Sequence, residues 1–339
     1  MSETVSREIR LKQRPVGIPK ESDFEIAEVT INEPQAGEVL VRNIYMSVDP
    51  YMRGVVRNVA LGVPLEGGCV GQVVQSGSAS FQIGDYVLGG LGWREYYLAS
   101  AESVSQIDPT LAPIQSFIGA VGMPGRTAYF GLLDVGEPKA GETVFVSAAS
   151  GAVGAIVCQI AKIKGCRVVA SAGSDQKVNW LLEKAGVDVA FNYKGVDNLV
   201  DELKQHCPDG IDVYFENVGG AHLEAALSLM NTHGRIPLCG MIAHYNDVEP
   251  TPGPKNLSTA IGKRLKLQGF IVTDYADRTP DFYDDMRQWI SEGKMHWEET
   301  IIEGLENAPQ AFIGLFKGEN MGKMIVKVGP EEVRTPRIN

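Results

Sequence analysis

Residues 143–159, TVFVSAASGAVGAIVCQ, constrain the fold of this chain more than any other stretch. Val144, Phe145 and Val146 make an apolar run of strand character, Ala149, Gly151 and Gly154 follow in an A-x-G-x-x-G spacing, and Ala155 to Ile163 then carries a helical pattern. A strand that turns through glycine into a helix brings unpaired N–H groups and the positive end of a helix dipole to one point. Small side chains there let an anion approach the backbone, so the spacing predicts a phosphate seat over Gly151, Ala152, Val153 and Gly154. Ala149 stands where the dinucleotide fingerprint has its first glycine, and by itself the stretch can also be read as a buried strand–helix corner.

At 339 residues the chain exceeds what one core usually fills, so two domains are expected, and 44% hydrophobic residues suffice for both cores. A formal charge of -11 argues against a nucleic-acid or anionic-membrane partner, since those surfaces favour basic patches. The five cysteines are scattered without a C-x-x-C pair, which fits a reducing compartment, and a cytoplasmic protein is expected. The opening MSETVSREIRLKQRP lacks the apolar core of a signal peptide. The most apolar long window, 143–161, is interrupted by Ser147, Ser150, Gly151, Gly154 and Gln159, so no membrane span is expected.

Residues 1–122 alternate short strand-like runs (39–45, 71–75, 86–88, 96–98) with Gly, Pro and Asp turns, the pattern of an antiparallel barrel-like domain. The turn SVDPYMRG within it carries Tyr51. From Met123, MPGRTAYFGLLDVG opens on a Pro-Gly turn and continues as a helix to about Leu133, marking the domain crossing. Beyond it, strands at 143–148, 167–172, 189–193, 211–215 and 235–239 alternate with helices, and a later strand at 265–272 is expected to extend the same sheet. Repeated β-α units of this kind build a doubly wound parallel sheet. Residues 309–328 read as a short helix, a glycine loop and a final strand whose partner is expected in the first domain.

In a dinucleotide fold, an acid about 20 residues past the glycines bonds the adenosine ribose of NAD. Here the second strand ends Ala170-Ser171-Ala172-Gly173 without an acid. Ser174 is placed to cap the next helix, whose first turn carries Asp175 and Lys177, so a helix N-terminus and a cation meet where a 2′-phosphate would lie. NADPH is the expected cofactor. Lys177 also reads as an ordinary solvated lysine, and Asp175 as an acceptor for the ribose of NAD. Tyr193, at the end of the third strand, favours the phosphate reading, its ring near the adenine and its hydroxyl within reach of the phosphate.

The histidines at 206, 222, 233, 244 and 296 show no H-E-x-x-H, and Cys69 stands alone in the first domain, so no metal site is expected. Without a metal electrophile, conjugate reduction is the easier chemistry to supply: hydride at the β-carbon of an enone leaves an enolate that needs a hydrogen-bond donor at its oxygen. A tyrosine can donate that bond while staying protonated at neutral pH. Tyr245, just after Cys239-Gly240-Met241-Ile242 at a strand end, is the first candidate and Tyr51 the second; either ring can instead simply pack. No G-x-S-x-G elbow offers a hydrolytic alternative.

The motifs DPYMRG, MPGRTAYFGL, AASGAVG, FNYK, ENVGG, RIPLCGMI, LQGFIV and GLENAPQAFIGLFKGENMGK together resemble the zinc-free medium-chain dehydrogenase/reductases, in the prostaglandin reductase and bacterial curcumin reductase branch. That resemblance implies a GroES-like antiparallel β-barrel domain from residues 1–124 and 309–339 around a Rossmann domain at 125–308. It also implies NADPH-dependent reduction of the double bond of α,β-unsaturated ketones and aldehydes. It places Gly151–Gly154 at the pyrophosphate, Ser174, Lys177 and Tyr193 at the adenosine end, and Asn217, Cys239 and Gly240 along the cofactor. Met123, Thr127, the backbone of Phe270, Ile271 and Val272, and the side chain of Asn320 fall near the nicotinamide, with Tyr245 facing the substrate carbonyl. A homodimer joined through the nucleotide-domain sheets is implied as well. Quinone reduction, and an NADPH-binding protein without turnover, are the alternative readings.

Overall fold

The computed structural model describes residues 3–331; the last eight residues of the expected first domain, 332–339, lie outside the described residues. The chain forms two units, one from the residues up to Gly119 with Glu299–Glu319 and the segment from Met324, the other from Ala120–Glu298 with Asn320–Lys323.

In the first unit, β1 (Thr4–Leu11) and β2 (Phe24–Ile31) pair with each other antiparallel. The sequence reading has no strand in either place. The reason lies in β1, where Ser6 and Glu8 are buried among the apolar residues and blur the alternation; the Ser6 hydroxyl accepts from the Tyr96 N–H at 3.0 Å, and Glu8 pairs with Arg10. β3 (Glu38–Ser47) is the centre of the main sheet and leads into the one-turn helix α1 (Met52–Val55). It is followed by β4 (Cys69–Ser76), β5 (Tyr86–Gly89), β6 (Tyr96–Ser100) and β7 (Ser105–Gln106). β3 pairs antiparallel with both β4 and β6 and is buried along most of its length, which accounts for its nearly continuous apolar run.

The second unit opens with α2 (Met123–Phe130), which continues as a wider turn, Gly131–Gly136. It then alternates β8 (Thr143–Val146), α3 (Gly154–Ile163), β9 (Arg167–Ala172), α4 (Asp175–Glu183), β10 (Val189–Asn192), α5 (Leu199–His206), β11 (Ile211–Phe215), α6 (Gly220–Leu229), β12 (Met230–Leu238), α7 (Thr259–Lys263), β13 (Lys266–Gly269) and α8 (Thr279–Ser291). The six strands lie parallel in the order β10-β9-β8-β11-β12-β13. In chain order that is 3-2-1-4-5-6, the Rossmann arrangement.

The expected strand 265–272 is shorter than read, ending at Gly269. Phe270 leaves the ladder to pack edge-on against Phe215, and its ring lies so close to Gly131 that a methyl there would come within 2.3 Å of its Cζ. The strand expected from residue 235 instead begins at Met230, with an irregular register between Ile211 and Val213 where it meets β11.

The chain then returns to the first unit with β14 (Glu299–Glu303), α9 (Ala308–Lys317) and β15 (Lys323–Lys327), giving the strand order β14-β15-β3-β4-β5-β7. β15 pairs antiparallel with β3, the partner expected for the final strand. α9 contributes Phe312, whose ring meets Phe24 and Trp93 edge-on at 6.4 and 6.1 Å while those two stack at 6.0 Å.

Candidate active site

The turn after β8 gathers the predicted phosphate residues at the C-terminal edge of the parallel sheet. Ala148 sits at φ +47°, a left-handed conformation costly for a residue with a side chain, and Gly151 donates its N–H back to the Ala148 carbonyl at 3.0 Å. A methyl at Gly154 would lie 2.5 Å from the Ala148 oxygen and 2.7 Å from the Ala149 Cα, so glycine is required for helix and strand to approach this closely. Val153 is the N-terminal cap of α3, and Ala152, Val153 and Gly154 present the amides of a starting helix. The turn is braced from behind by the 320–322 loop: Gly322 donates to the Ser150 carbonyl at 2.9 Å, and the Asn320 amide donates to the Gly322 carbonyl at 2.7 Å. Asn320, expected near the nicotinamide, therefore has its Nδ2 engaged within this brace.

At the end of β9 the hydroxyl of Ser174 accepts from the Lys177 N–H and caps α4. Lys177 is half-buried, and its ammonium is pushed to a lower pKa by burial and then by Lys194. Tyr193 and Lys194 come in over Gly173, where a methyl would stand 3.3 Å from both the tyrosine Oη and the lysine Cε. Asp175 turns one oxygen to the Asn192 amide at 2.9 Å. Two cations, a capped helix start and an acid-free strand end thus converge. They fit a 2′-phosphorylated adenosine better than the paired hydroxyls of NAD. Lys194 was legible only as part of FNYK; its contact with Gly173 is what brings it to the site.

The ends of β11 and β12 are tied together by Glu216, which the sequence reading did not assign. Its buried carboxyl accepts from the Val218 and Gly219 N–H groups at 2.6 and 2.8 Å, while its carbonyl accepts from Cys239 and Gly240 at 2.9 and 3.1 Å. Burial raises the Glu216 pKa, and burial followed by the nearby Glu216 pushes the Cys239 thiol up to about 12. Asn217 donates through its amide to the Ser147 carbonyl at 2.8 Å.

Tyr245 ends the short turn Ile242–His244 beyond β12. Its phenolic oxygen accepts from the Met241 N–H at 3.3 Å and would stand 3.0 Å from a methyl on Gly240. Burial raises its pKa against the opposing pull of the Met241 N–H, so the phenol is protonated at neutral pH. On α2, Thr127 donates its hydroxyl to the Met123 carbonyl at 2.8 Å. Phe270, Ile271 and Val272 follow β13, with Ile271 63% exposed.

Tyr51 belongs to the first unit, just before α1. It is 46% exposed, and desolvation, then the Asp49 carboxylate, raise its pKa. Among the described residues no group of three or more His, Cys, Asp or Glu side chains is placed to hold a metal ion, and no helix is long and apolar enough to cross a membrane.

The sheet order, the glycine turn and the lysine pair define the class as a dinucleotide-binding oxidoreductase fold. Residues 7–107 match a family described as the N-terminal domain of oxidoreductase, and residues 152–292 one described as zinc-binding dehydrogenase. The chain is 47% identical to prostaglandin reductase 1 of Bos taurus (94% of this chain, 97% of the relative) and 45% identical to the NADPH-dependent curcumin reductase of Escherichia coli (95% and 96%). It is 46% identical to the NADP(+)-dependent 2-alkenal reductase of Nicotiana tabacum (98% and 100%). The crystal structure of CurA from Vibrio vulnificus in complex with NADPH superposes with a TM-score of 0.90 at 42% identity, over 96% of this chain and all of that one. The chain belongs to the zinc-independent medium-chain dehydrogenase/reductases, in the branch of the prostaglandin and curcumin reductases.

Proposed function

We propose that this protein is an NADPH-dependent reductase of the carbon–carbon double bond in α,β-unsaturated ketones and aldehydes. The observation that carries the reading is the pairing, within one unit, of a two-lysine site at the acid-free end of β9 with a protonated tyrosine at the end of β12. Gly151–Gly154 hold the pyrophosphate on their amides, Lys177, Tyr193 and Lys194 hold the 2′-phosphate, and Asn217, Cys239 and Gly240 line the path toward the nicotinamide. When bound, NADPH supplies a hydride for the substrate β-carbon. Tyr245 donates a hydrogen bond to the carbonyl oxygen of the substrate and holds its proton there as negative charge develops. Its raised pKa serves this role, because a phenol that ionised at neutral pH would repel the enolate.

The test is NADPH oxidation with a vinyl ketone, followed by product analysis. A saturated ketone is expected; an allylic alcohol with its double bond intact would overturn the chemistry. Faster turnover of a simple quinone than of the enone would reassign the enzyme as a quinone reductase. Tyr245→Phe is expected to lower kcat by roughly ten- to a thousandfold. An undiminished rate would move the donor role to Tyr51 or elsewhere.

The five free cysteines support a reducing, cytoplasmic setting. A homodimer built on the outer strand β13 is supported by its position at the sheet edge and by the neighbouring exposed side chains, Ile261 at 82% and Ile271 at 63%. Light scattering is expected to give a dimer that Ile261→Glu weakens to a monomer.

A further inference from the structure

We propose that His244 and Asp247 form a lock that holds Tyr245 in place, which makes both of them positioning residues for the reduction; the proposal rests on the role given to Tyr245 above. Tyr245 caps the single 3-10 turn Ile242–His244, which lies beyond the last residue of β12 and belongs to no longer helix or strand. The first half of the turn is held through the backbone, Ile242 donating to the Asn217 carbonyl at 3.3 Å and Ala243 to the Val218 carbonyl at 3.0 Å. From residue 244 onward the backbone bonds, His244 to the Met241 carbonyl at 2.9 Å and Tyr245 to the Ile242 carbonyl at 3.3 Å, are joined by side-chain anchors. The His244 ring lies on the Gly219–Gly220 turn, so close that a methyl on Gly219 would stand 3.1 Å from its Cδ2 and 3.3 Å from its Nε2. Those glycines have φ of +78° and +52°, a conformation that keeps the surface under the ring free of side chains.

The other edge of the ring is fixed by Asp247, whose Oδ2 is 2.9 Å from His244 Nδ1. The Thr251 hydroxyl donates to the same carboxylate oxygen, and the Asp247 N–H donates to the His244 carbonyl at 3.2 Å. One carboxylate thus closes the segment 244–251, with Tyr245 inside its first turn. A carboxylate accepting at Nδ1 also fixes the tautomer and the ring orientation.

The pair is about one-third exposed, 31% and 33% by side chain, and so contributes little to global stability. Its effect is local. A hydrogen-bond donor displaced by about 1 Å from the reacting atoms can lose a hundredfold in rate, so a weak tether on the turn that carries Tyr245 has more leverage on turnover than on folding.

The experiment is a double-mutant cycle on the full chain, with amide hydrogen exchange of the cofactor-free protein read alongside. His244→Ala and Asp247→Ala are each expected to lower kcat for the enone by about five- to fiftyfold, with the NADPH dissociation constant and the melting temperature nearly unchanged. Asp247→Asn, which still accepts from Nδ1–H, is expected to restore most of the rate. In a Tyr245→Phe background the alanine replacements should cost less than about twofold, the non-additivity expected of groups that act through one another. Exchange of the Tyr245 and Asp247 amides should quicken by about tenfold in His244→Ala. Full additivity with Tyr245→Phe, an unaltered kcat, or unaltered exchange each overturns the lock. Should the wild-type protein reduce no enone, the reductase reading fails by itself, and the exchange measurement still decides whether the lock exists.

Discussion

At the scale of single residues, the adenosine end proposed for the site turns on two lysines that differ in how readily sequence reveals them. Lys177 follows from its place in the first turn of a capped helix. Lys194 has no such marker, since a lysine in a turn after a strand resembles any solvated lysine until Gly173 is found beneath it. Lys177→Ala and Lys194→Ala are each expected to raise the KM for NADPH about ten- to a hundredfold, the loss of one charge-assisted contact, and to leave the KM for NADH within about threefold. Equal effects on both cofactors would remove the 2′-phosphate assignment.

His222 adds a pH dependence. It is buried at the start of α6, its ring edge-on to Tyr193 at 4.9 Å, and burial lowers its pKa from 6.5 to about 4. Between those values the unfolded chain binds more protons than the folded one, so stability is full above pH 6.5 and falls as the pH drops toward 4. The loss from this group approaches about 3 kcal/mol at the acid end. Urea unfolding at pH 7 and pH 5 is expected to show the loss in the wild type and a smaller one in His222→Gln; equal losses in the two proteins would discard the account.

At the scale of elements, the β8–turn–α3 unit is legible because its chemistry is local: an apolar run, small residues at fixed spacing and an apolar helix follow one another in the chain. β1 and the end of β13 are not, because tertiary partners decide them. Ser6 and Glu8 are buried on partners far along the chain or beside them, and Phe270 abandons the ladder for a gap that Gly131 leaves. The brace behind the phosphate turn is equally non-local. Gly322 has φ +64°, and a methyl there would lie 1.9 Å from the Glu298 carbonyl, so Gly322→Ala is expected to lower the melting temperature by several degrees and weaken NADPH binding about tenfold. Gly262→Ala is the control: it has open space around it and ordinary backbone, and neither quantity should fall. A Gly322→Ala protein with unchanged NADPH affinity would separate the brace from the phosphate turn.

At the scale of the whole molecule, the doubly wound sheet was readable from β-α alternation, whereas the first unit depends on pairings across nearly the full length of the chain. Its aromatic centre includes the fully buried Phe312 from α9, and Phe312→Ala is expected to cost about 3–5 kcal/mol in denaturant unfolding through the cavity it leaves. A loss below about 1 kcal/mol would mean that the core collapses around the gap. The return of β15 to β3 also sets an order of events during synthesis. The strand β3 is made early and pairs with β4 and β6 soon after, but its Tyr45–Ser47 end lacks its β15 partner until residues 323–327 have left the ribosome, which at about 5–20 residues per second leaves it waiting on the order of ten seconds or longer. The parallel sheet of the second unit can form within that interval, so nascent chains released before α9 should hold an ordered nucleotide-binding unit and an N-terminal sheet with the Tyr45–Ser47 end of β3 unpaired, the form in which this protein is most exposed to aggregation and most in need of a chaperone.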